Sequence, residues 1–275
     1  MIKGFARGKY YFTALIPIKF IKKDCVRILC VTDEIILLLA SNSPRRRQLL
    51  ALGNWKFDVA VSDVDESLLA DESPKEYVLR LAQAKALAVA QKVDSDKIII
   101  GSDTAVIDGN EVLGKPKDEE DAERMLKQLR GRTHQVYTGV AIYRISDEKM
   151  LTELCVTDVP MRAYSDEEIK AYIQSGDPMD KAGAYAIQHP DFQPVESLSG
   201  CYASVMGLPM CHVTRALQKI DIHPSADVPM ACQTLLNYQC PVSDAILRGE
   251  NLSPQSSPFG RGDSLSLWGR AGNEG

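Results

Sequence analysis

The chain has 275 residues, 45% of them hydrophobic and 25% charged, which is ordinary for a globular protein and enough for one large or two modest domains. A net charge of −5 and a pI near 5.5 argue against a nucleic-acid-coating protein, which carries a basic excess. No stretch approaches the roughly 18 consecutive apolar residues of a membrane-crossing helix. Seven cysteines without a CxxC pair exclude a secreted disulfide framework and point to a reducing cytoplasm.

Residues 1–35 are basic, with Lys3, Arg7, Lys9, Lys19, Lys22, Lys23 and Arg27 in the first thirty, and read as a poorly packed extension. Ile36–Ala40 reads as a buried strand that runs into Ser41-Asn42-Ser43-Pro44, where Ser43 caps a helix and Pro44 opens it. Phe57–Val61 suits a second strand, followed by the acidic loop Ser62-Asp63-Val64-Asp65-Glu66-Ser67. Ser73 with Glu76 has capping-box spacing, and Tyr77, Leu81, Ala84 and Ala88 continue a helix to about Lys92. Lys97–Ile100 is an apolar strand expected to deliver Gly101-Ser102-Asp103-Thr104 at its C-terminal end, where open α/β sheets place their sites. Asp108-Gly109-Asn110 is a hairpin turn, and Asp118 starts a helix that Gly131 ends. Thr133–Ile145 and Met150–Ala163 pair as antiparallel strands, and Ser165 with Glu168 caps another helix. Cys201–Met206 reads as a strand and Pro209 as the start of the last helix. Beyond Ile220, Pro, Ser and Gly interrupt the pattern, so 221–275 reads as a largely disordered extension, and its Arg261-Gly262-Asp263 as a chance tripeptide.

Four blocks carry polar residues where such a scaffold would place a site: Ser41/Ser43/Arg45/Arg46, Lys85, Ser102/Asp103/Thr104 with Lys115, and Lys181 with Gln188. Hydroxyls and guanidinium groups at a helix mouth suit an anion, and a carboxylate beside cations suits a metal-bound polyphosphate. There is no Walker glycine loop and no GxSxG elbow, so kinase and serine-hydrolase chemistry is weak. His134, His189, His212 and His223 lack ligand spacing, and Cys211, His212, Cys232 and Cys240 match no common zinc finger.

These blocks resemble the Maf family of nucleoside triphosphate pyrophosphatases. The matches are Leu-Ala-Ser-Asn-Ser-Pro-Arg-Arg at 39–46, Tyr-Val-Leu-Arg-Leu-Ala-Gln-Ala-Lys-Ala at 77–86, Gly-Ser-Asp-Thr at 101–104 and Gly-Lys-Pro at 114–116. Asp-Lys-Ala-Gly-Ala-Tyr at 180–185, Ile-Gln at 187–188 and Val-Met-Gly-Leu-Pro at 205–209 complete the set. The resemblance covers 36–220 and implies a two-lobed, elongated mixed α/β sheet with flanking helices, similar to inosine triphosphate pyrophosphatases, with the site in a cleft between lobes. It implies cleavage of a nucleoside triphosphate to the monophosphate and pyrophosphate, and a homodimer, since members often form one.

By that resemblance Asp103 is the general base. Ser41, Ser43, Arg46, Lys85, Lys115 and Lys181 grip the triphosphate, and Asp103 with Asp65 and Glu66 holds a divalent cation, magnesium or alternatively manganese. Arg45, Thr104 and Gln188 stand where base preference is set and match the dTTP/UTP branch. A Gln amide can meet the O4 and N3–H edge of uracil or thymine with one donor and one acceptor. The chain departs from the family where Ala186 replaces a Gly, where His189–Pro194 replaces a glycine-rich turn, and at Gly200-Cys201-Tyr202. Two alternatives remain at this level: another base preference, such as 7-methyl-GTP or CTP, or a non-catalytic nucleotide-binding regulator of cell division.

Overall fold

A computed structural model describes residues 37–93 and 96–250. The N-terminal extension, residues 251–275 and the Arg261-Gly262-Asp263 tripeptide lie outside the described residues. The core is a six-stranded mixed sheet of β1 (Leu37–Leu39), β2 (Phe57–Val59), β3 (Ile98–Asp108), β4 (Glu111–Leu113), β5 (Thr133–Arg144) and β6 (Lys149–Pro160), in the order β2-β1-β3-β5-β6 with β4 also on β3. β1 runs parallel to β2 and β3, while β3/β5 and β5/β6 are long antiparallel pairs.

The polar tetrad Gly101–Thr104 lies in the middle of β3, not at its end as the sequence suggests. β5 pairs with β3 from Ile98↔Arg144 to Ile107↔Gln135 and so satisfies one edge throughout. The other edge is covered by β1 only as far as Ile100 and by β4 only from Val106. The sheet therefore has a gap beside residues 101–105. Its location follows from the alternation of β3, where apolar Ile98–Ile100 and Ala105–Ile107 flank the polar segment.

One sheet face is covered by α2 (Pro74–Ala90), which begins with the expected Ser73/Glu76 capping box. Ala82, Ala86 and Val89 pack on Leu38, Ile99 and Ala141, and Val78 packs on Ala105 and Ile107. The helix comes unusually close because two glycines lie beneath it. A Cβ on Gly101 would sit 2.1 Å from the Ala82 carbonyl oxygen, and one on Gly139 2.5 Å from that of Val78.

The other face carries two apolar cores. One gathers Leu37, Leu39, Ile98, Ile100, Val140 and Ile142 under α1 (Pro44–Leu50) and, further along the chain, the helix Met210–Gln218. The other gathers Val106, Val136 and Val159 under α3 (Glu119–Leu129) and α4 (Asp166–Gln174). β3 and β5 contribute to both cores, and between them they carry the hydroxyls of Ser102, Thr104 and Thr138. This polar waist separates two lobes, and the cleft opens there.

Two expectations are corrected. Cys201–Met206 is not a strand: Tyr202–Val205 is a short helix, α5, followed by α6 at Met210–Gln218. Nor is α6 the last helix, and disorder does not hold for 221–250. That stretch forms α7 (Val228–Leu236) and α8 (Ser243–Leu247), adds Ile222 and Val228 to the first core and buries Ile246 on α8. Asp227 caps α7 and Pro229 occupies its first turn, a position where proline favours a helix. Buried Glu153 on β6 pairs with Arg215 and Lys219, and Arg215 also donates to the carbonyls of Ile246 and Glu250, clamping α8 to α6. Among the described residues no helix is long and apolar enough to cross a membrane.

Candidate active site

The gap beside β3 opens into a cavity of about 800 Å³, large enough for a nucleotide. The first lobe supplies Ser41, Ser43, Arg45 and Arg46, and the second supplies Lys115, Lys181 and the wall Tyr185–Pro190. Glu66, Lys85, Asp103 and Thr104 lie at its floor. All four polar blocks of the sequence thus reach one cleft.

α1 starts as expected, with Ser43 accepting from the Arg46 N–H (3.4 Å). Ser41 Oγ accepts from Ser43 N–H (3.2 Å) and from Arg46 Nη1 (3.4 Å). Arg46 Nε donates to the Gly207 carbonyl (2.8 Å) and Nη2 to Thr104 Oγ1 (3.3 Å). Thr104 in turn meets Thr138 Oγ1 (3.0 Å), which donates to the Ser204 carbonyl (2.9 Å). A single donor direction satisfies this chain, from guanidinium through two hydroxyls to a carbonyl. Burial pushes the Arg46 guanidinium down, opposed by Asp103 and Glu66. Arg45 faces the cleft, while Arg47 is exposed outside it.

Asp103 projects from the α2 face of β3, and the close approach of that helix puts Lys85 Nζ 2.6 Å from Asp103 Oδ1. Lys85 also lies 2.6 Å from Glu66 Oε1. Burial pushes the Asp103 carboxyl above its ordinary value, against Lys85 and Arg46, which favour the ionised form. Burial also pushes Glu66 up, but Lys85, Lys115 and Arg46 bring it below the usual carboxylate range. Glu66 is delivered by α2 itself: Tyr77 Oη donates to its carbonyl (2.9 Å), and Arg80 holds the loop through Ser67 O and Glu72. Burial, with Asp103 and Glu66 nearby, pushes the Tyr77 phenol up to about 12.

Asp65 does not join the site. Its Oδ1 accepts from the backbone N–H and hydroxyl of Ser67 (2.9 and 2.6 Å), which turns it to the exposed side of the loop. Lys181 is at the cleft but not free: Nζ is held by Asp177 Oδ1 (2.9 Å) and Asp180 Oδ1 (2.6 Å). Lys115 and Gln188 are exposed and line the cleft.

Sequence reasoning gave no site role to Gly207, Asp177, Asp180 or Tyr77, and named Ser102 in a candidate block without giving its hydroxyl a role. Ser102 Oγ lies 3.0 Å from Gly139 O and 2.9 Å from Gly207 O, buried under Arg46. His134 and His212 are buried, which pushes both down to about 4, and neither lines the cleft. Among the described residues no group of three or more His, Cys, Asp or Glu side chains is placed to hold a metal ion. The carboxylates of Asp103 and Glu66, each 2.6 Å from the Lys85 ammonium, are two hard oxygen donors lining the same cleft. Magnesium is typically held by one or two carboxylates together with substrate phosphates, so the donor set fits it.

A mixed sheet with a cationic cleft, a buried carboxylate and a second carboxylate across one lysine defines a site for an anionic, phosphorylated ligand. The chain belongs to the Maf-like protein family, whose model matches residues 36–220. It is 47% identical over 184 residues to the dTTP/UTP pyrophosphatase of Geotalea uraniireducens (strain Rf4), covering 67% of this chain and 94% of that protein. It is 45% identical to the dTTP/UTP pyrophosphatase of Geobacter sulfurreducens, over 67% of this chain and 96% of that one. The same name is carried by a Bacillus cereus (strain G9842) protein at 45% identity, over 68% of this chain and 96% of that protein. The fold also shows a distant likeness, at a TM-score of 0.36 and 16% identity, to the Staphylococcus aureus Ham1 protein, covering 58% of this chain and 90% of that one.

Proposed function

We propose that this protein hydrolyses dTTP and UTP to the monophosphate and pyrophosphate. The observation that carries the reading is the buried Asp103 carboxylate, placed at an unpaired strand edge and facing a cleft that Arg46, Lys85 and Lys115 make cationic. The names of the relatives at 45–47% identity support the substrate.

In this reading Arg46, Lys115 and the Ser41/Ser43 hydroxyls bind the triphosphate, and Arg46 is oriented before substrate arrives by Gly207 O and Thr104. Preorganised charge of this kind lowers the barrier without reorganisation during the reaction. Asp103 accepts the proton of the attacking water at Oδ1 or Oδ2, and its raised affinity for a proton makes it a better base than an exposed aspartate. Lys85 keeps it ionised. Asp103 and Glu66 would hold magnesium, which when bound offsets charge on the phosphates. Lys181, tied to Asp177 and Asp180, organises the far wall and contributes less net charge than a free lysine.

Gln188 and Arg45 at the cleft are assigned to base selection, with Gln188 facing the O4 and N3–H edge. The reading includes a cytoplasmic location, supported by five free cysteines among the described residues, and a homodimer, on family grounds. An acidic balance speaks against a nucleic-acid substrate. The test is product identification: with magnesium and UTP or dTTP, pyrophosphate and the monophosphate are expected. Stepwise release of orthophosphate would overturn the reaction, and equal nucleotide affinity with and without metal, without turnover, would favour a sensor.

A further inference from the structure

The wall segment that departs from the family, His189–Pro194, is rigidly built. His189 N–H donates to Ala186 O (3.2 Å) and Gln193 N–H to His189 O (3.1 Å). Arg162 on the strand-end side pins the segment through Phe192 O (2.7 Å) and Gln193 O (3.2 Å). The Phe192 ring stacks on Tyr172 at 4.3 Å and 11°. His189 packs edge-on against the same Tyr172 ring, centroids 4.8 Å apart and planes at 70°. Tyr172 is fixed in turn, since its Oη donates to Asp177 (2.7 Å) and accepts from Ala186 N–H (3.0 Å).

Within this frame the imidazole has one edge committed. Nδ1 accepts from the Phe192 N–H at 3.0 Å. In the neutral ring that assigns the proton to Nε2, which becomes a donor. No protein acceptor for it appears among the described residues, while the half-buried side chain lines the cleft beside Gln188. Gln188 is assigned the N3–H and O4 edge of the base, so the acceptor left on uracil or thymine is the 2-carbonyl.

We propose that His189 is a specificity-determining residue that donates its Nε2–H to the 2-carbonyl of the pyrimidine. This rests on the pyrophosphatase reading of the same cleft. It gives the chain a base contact where a glycine would offer none, and neither adenine nor guanine presents a carbonyl in that relation to the edge read by Gln188.

Asn and Gln separate the two nitrogens, because an Asn side-chain oxygen can replace Nδ1 as the acceptor for Phe192 N–H, whereas a Gln amide can replace the Nε2–H donor. The experiment measures kcat/KM for UTP and 2-thio-UTP, whose sulfur is a poor acceptor, with wild type, His189→Asn and His189→Gln. Affinity for α,β-methylene-UTP and melting temperature are measured alongside. Wild type is expected to lose about tenfold on 2-thio-UTP, the worth of one neutral hydrogen bond. His189→Asn should lose about tenfold on UTP and analogue affinity while no longer distinguishing the thio substrate, and His189→Gln should recover both. The inference is overturned if His189→Asn keeps wild-type selectivity, which would make the ring a structural cap only. It is equally overturned if the Asn variant loses its activity on UTP but not on dTTP, which would assign the donor to the ribose 2′-hydroxyl. Failure of the reaction itself reads differently: no pyrophosphate from any pyrimidine triphosphate overturns the pyrophosphatase reading, and the analogue affinities still decide His189.

Discussion

Lys85 is the residue on which the electrostatics of the site turn. One ammonium lies 2.6 Å from each of two carboxylates, so it both offsets the cost of burying Asp103 and ties the Glu66 loop to the sheet. Its charge and hydrogen bond hold the Asp103 carboxyl down against burial, which acts the other way. In the proposed mechanism Asp103 must be ionised to act as base, so kcat/KM is expected to fall as pH drops through its pKa. Lys85→Met removes the stabiliser of the ionised form, so the acid limb of the pH profile on UTP should move to higher pH, along with a loss of rate. An unmoved limb would mean that another group sets it. The pattern Gly-Ser-Asp-Thr and the helical spacing of Lys85 made these residues legible in sequence. The choice between Asp65 and Glu66 was not legible. It is decided by the Ser67 hydrogen bonds that turn Asp65 outward and by Tyr77 and Arg80, which come from another element. Gly207 was equally hidden, since a backbone carbonyl serving an arginine 161 positions away has no side-chain signature.

At the scale of elements, the α2–β3–β5 contact sets the geometry of the Asp103–Lys85 pair. Gly139 lies opposite Asp103 in the ladder, and a methyl group there meets the Val78 carbonyl oxygen at 2.5 Å, a backbone atom that cannot step aside alone. Gly139→Ala should therefore lift α2 from the sheet, cost about 1–3 kcal/mol and move Lys85 off Asp103. Denaturant melts and kcat/KM together check this, and the proposal predicts losses in both. A stable variant with full activity would show that close packing is unnecessary. Capping boxes, the long antiparallel pair and the opening strand–helix junction were readable because each is fixed by neighbours in sequence. β3 was read as ending too early because a strand that keeps one partner and loses the other carries no local mark of it. The helix Tyr202–Val205 was missed for a related reason: Tyr and Val favour strands, and here tertiary packing overrides that preference.

For the whole molecule, the boundary of the family match and the boundary of the fold differ. The match ends at residue 220, yet 221–250 contributes buried Ile222 and Val228 to the first core and buries Ile246 as well. Prolines that punctuate this stretch were read as disorder, although one of them opens a helix. Tyr238 Oη reaches back to Leu198 O (3.1 Å) and Gly200 O (2.8 Å), so the extension also braces the segment leading to α5 and Gly207. Truncation after residue 220 should destabilise the chain by on the order of 5 kcal/mol, counting three buried aliphatic side chains, and lower the melting temperature accordingly. Truncation after 250 leaves all of these contacts. Equal melting temperatures for the two truncations would contradict the reading of 221–250 as part of the core.

The central claim is that the carboxylate in the sheet gap activates water for cleavage to pyrophosphate. Asp103→Asn keeps the shape and leaves Lys85 paired with Glu66, so it should melt like wild type and still bind a non-hydrolysable UTP analogue. With magnesium and UTP, its rate of pyrophosphate release should fall about 10³-fold, in the range expected for a general base. An Asn variant that folds and releases pyrophosphate at more than about a tenth of the wild-type rate, well above that range, would contradict the account.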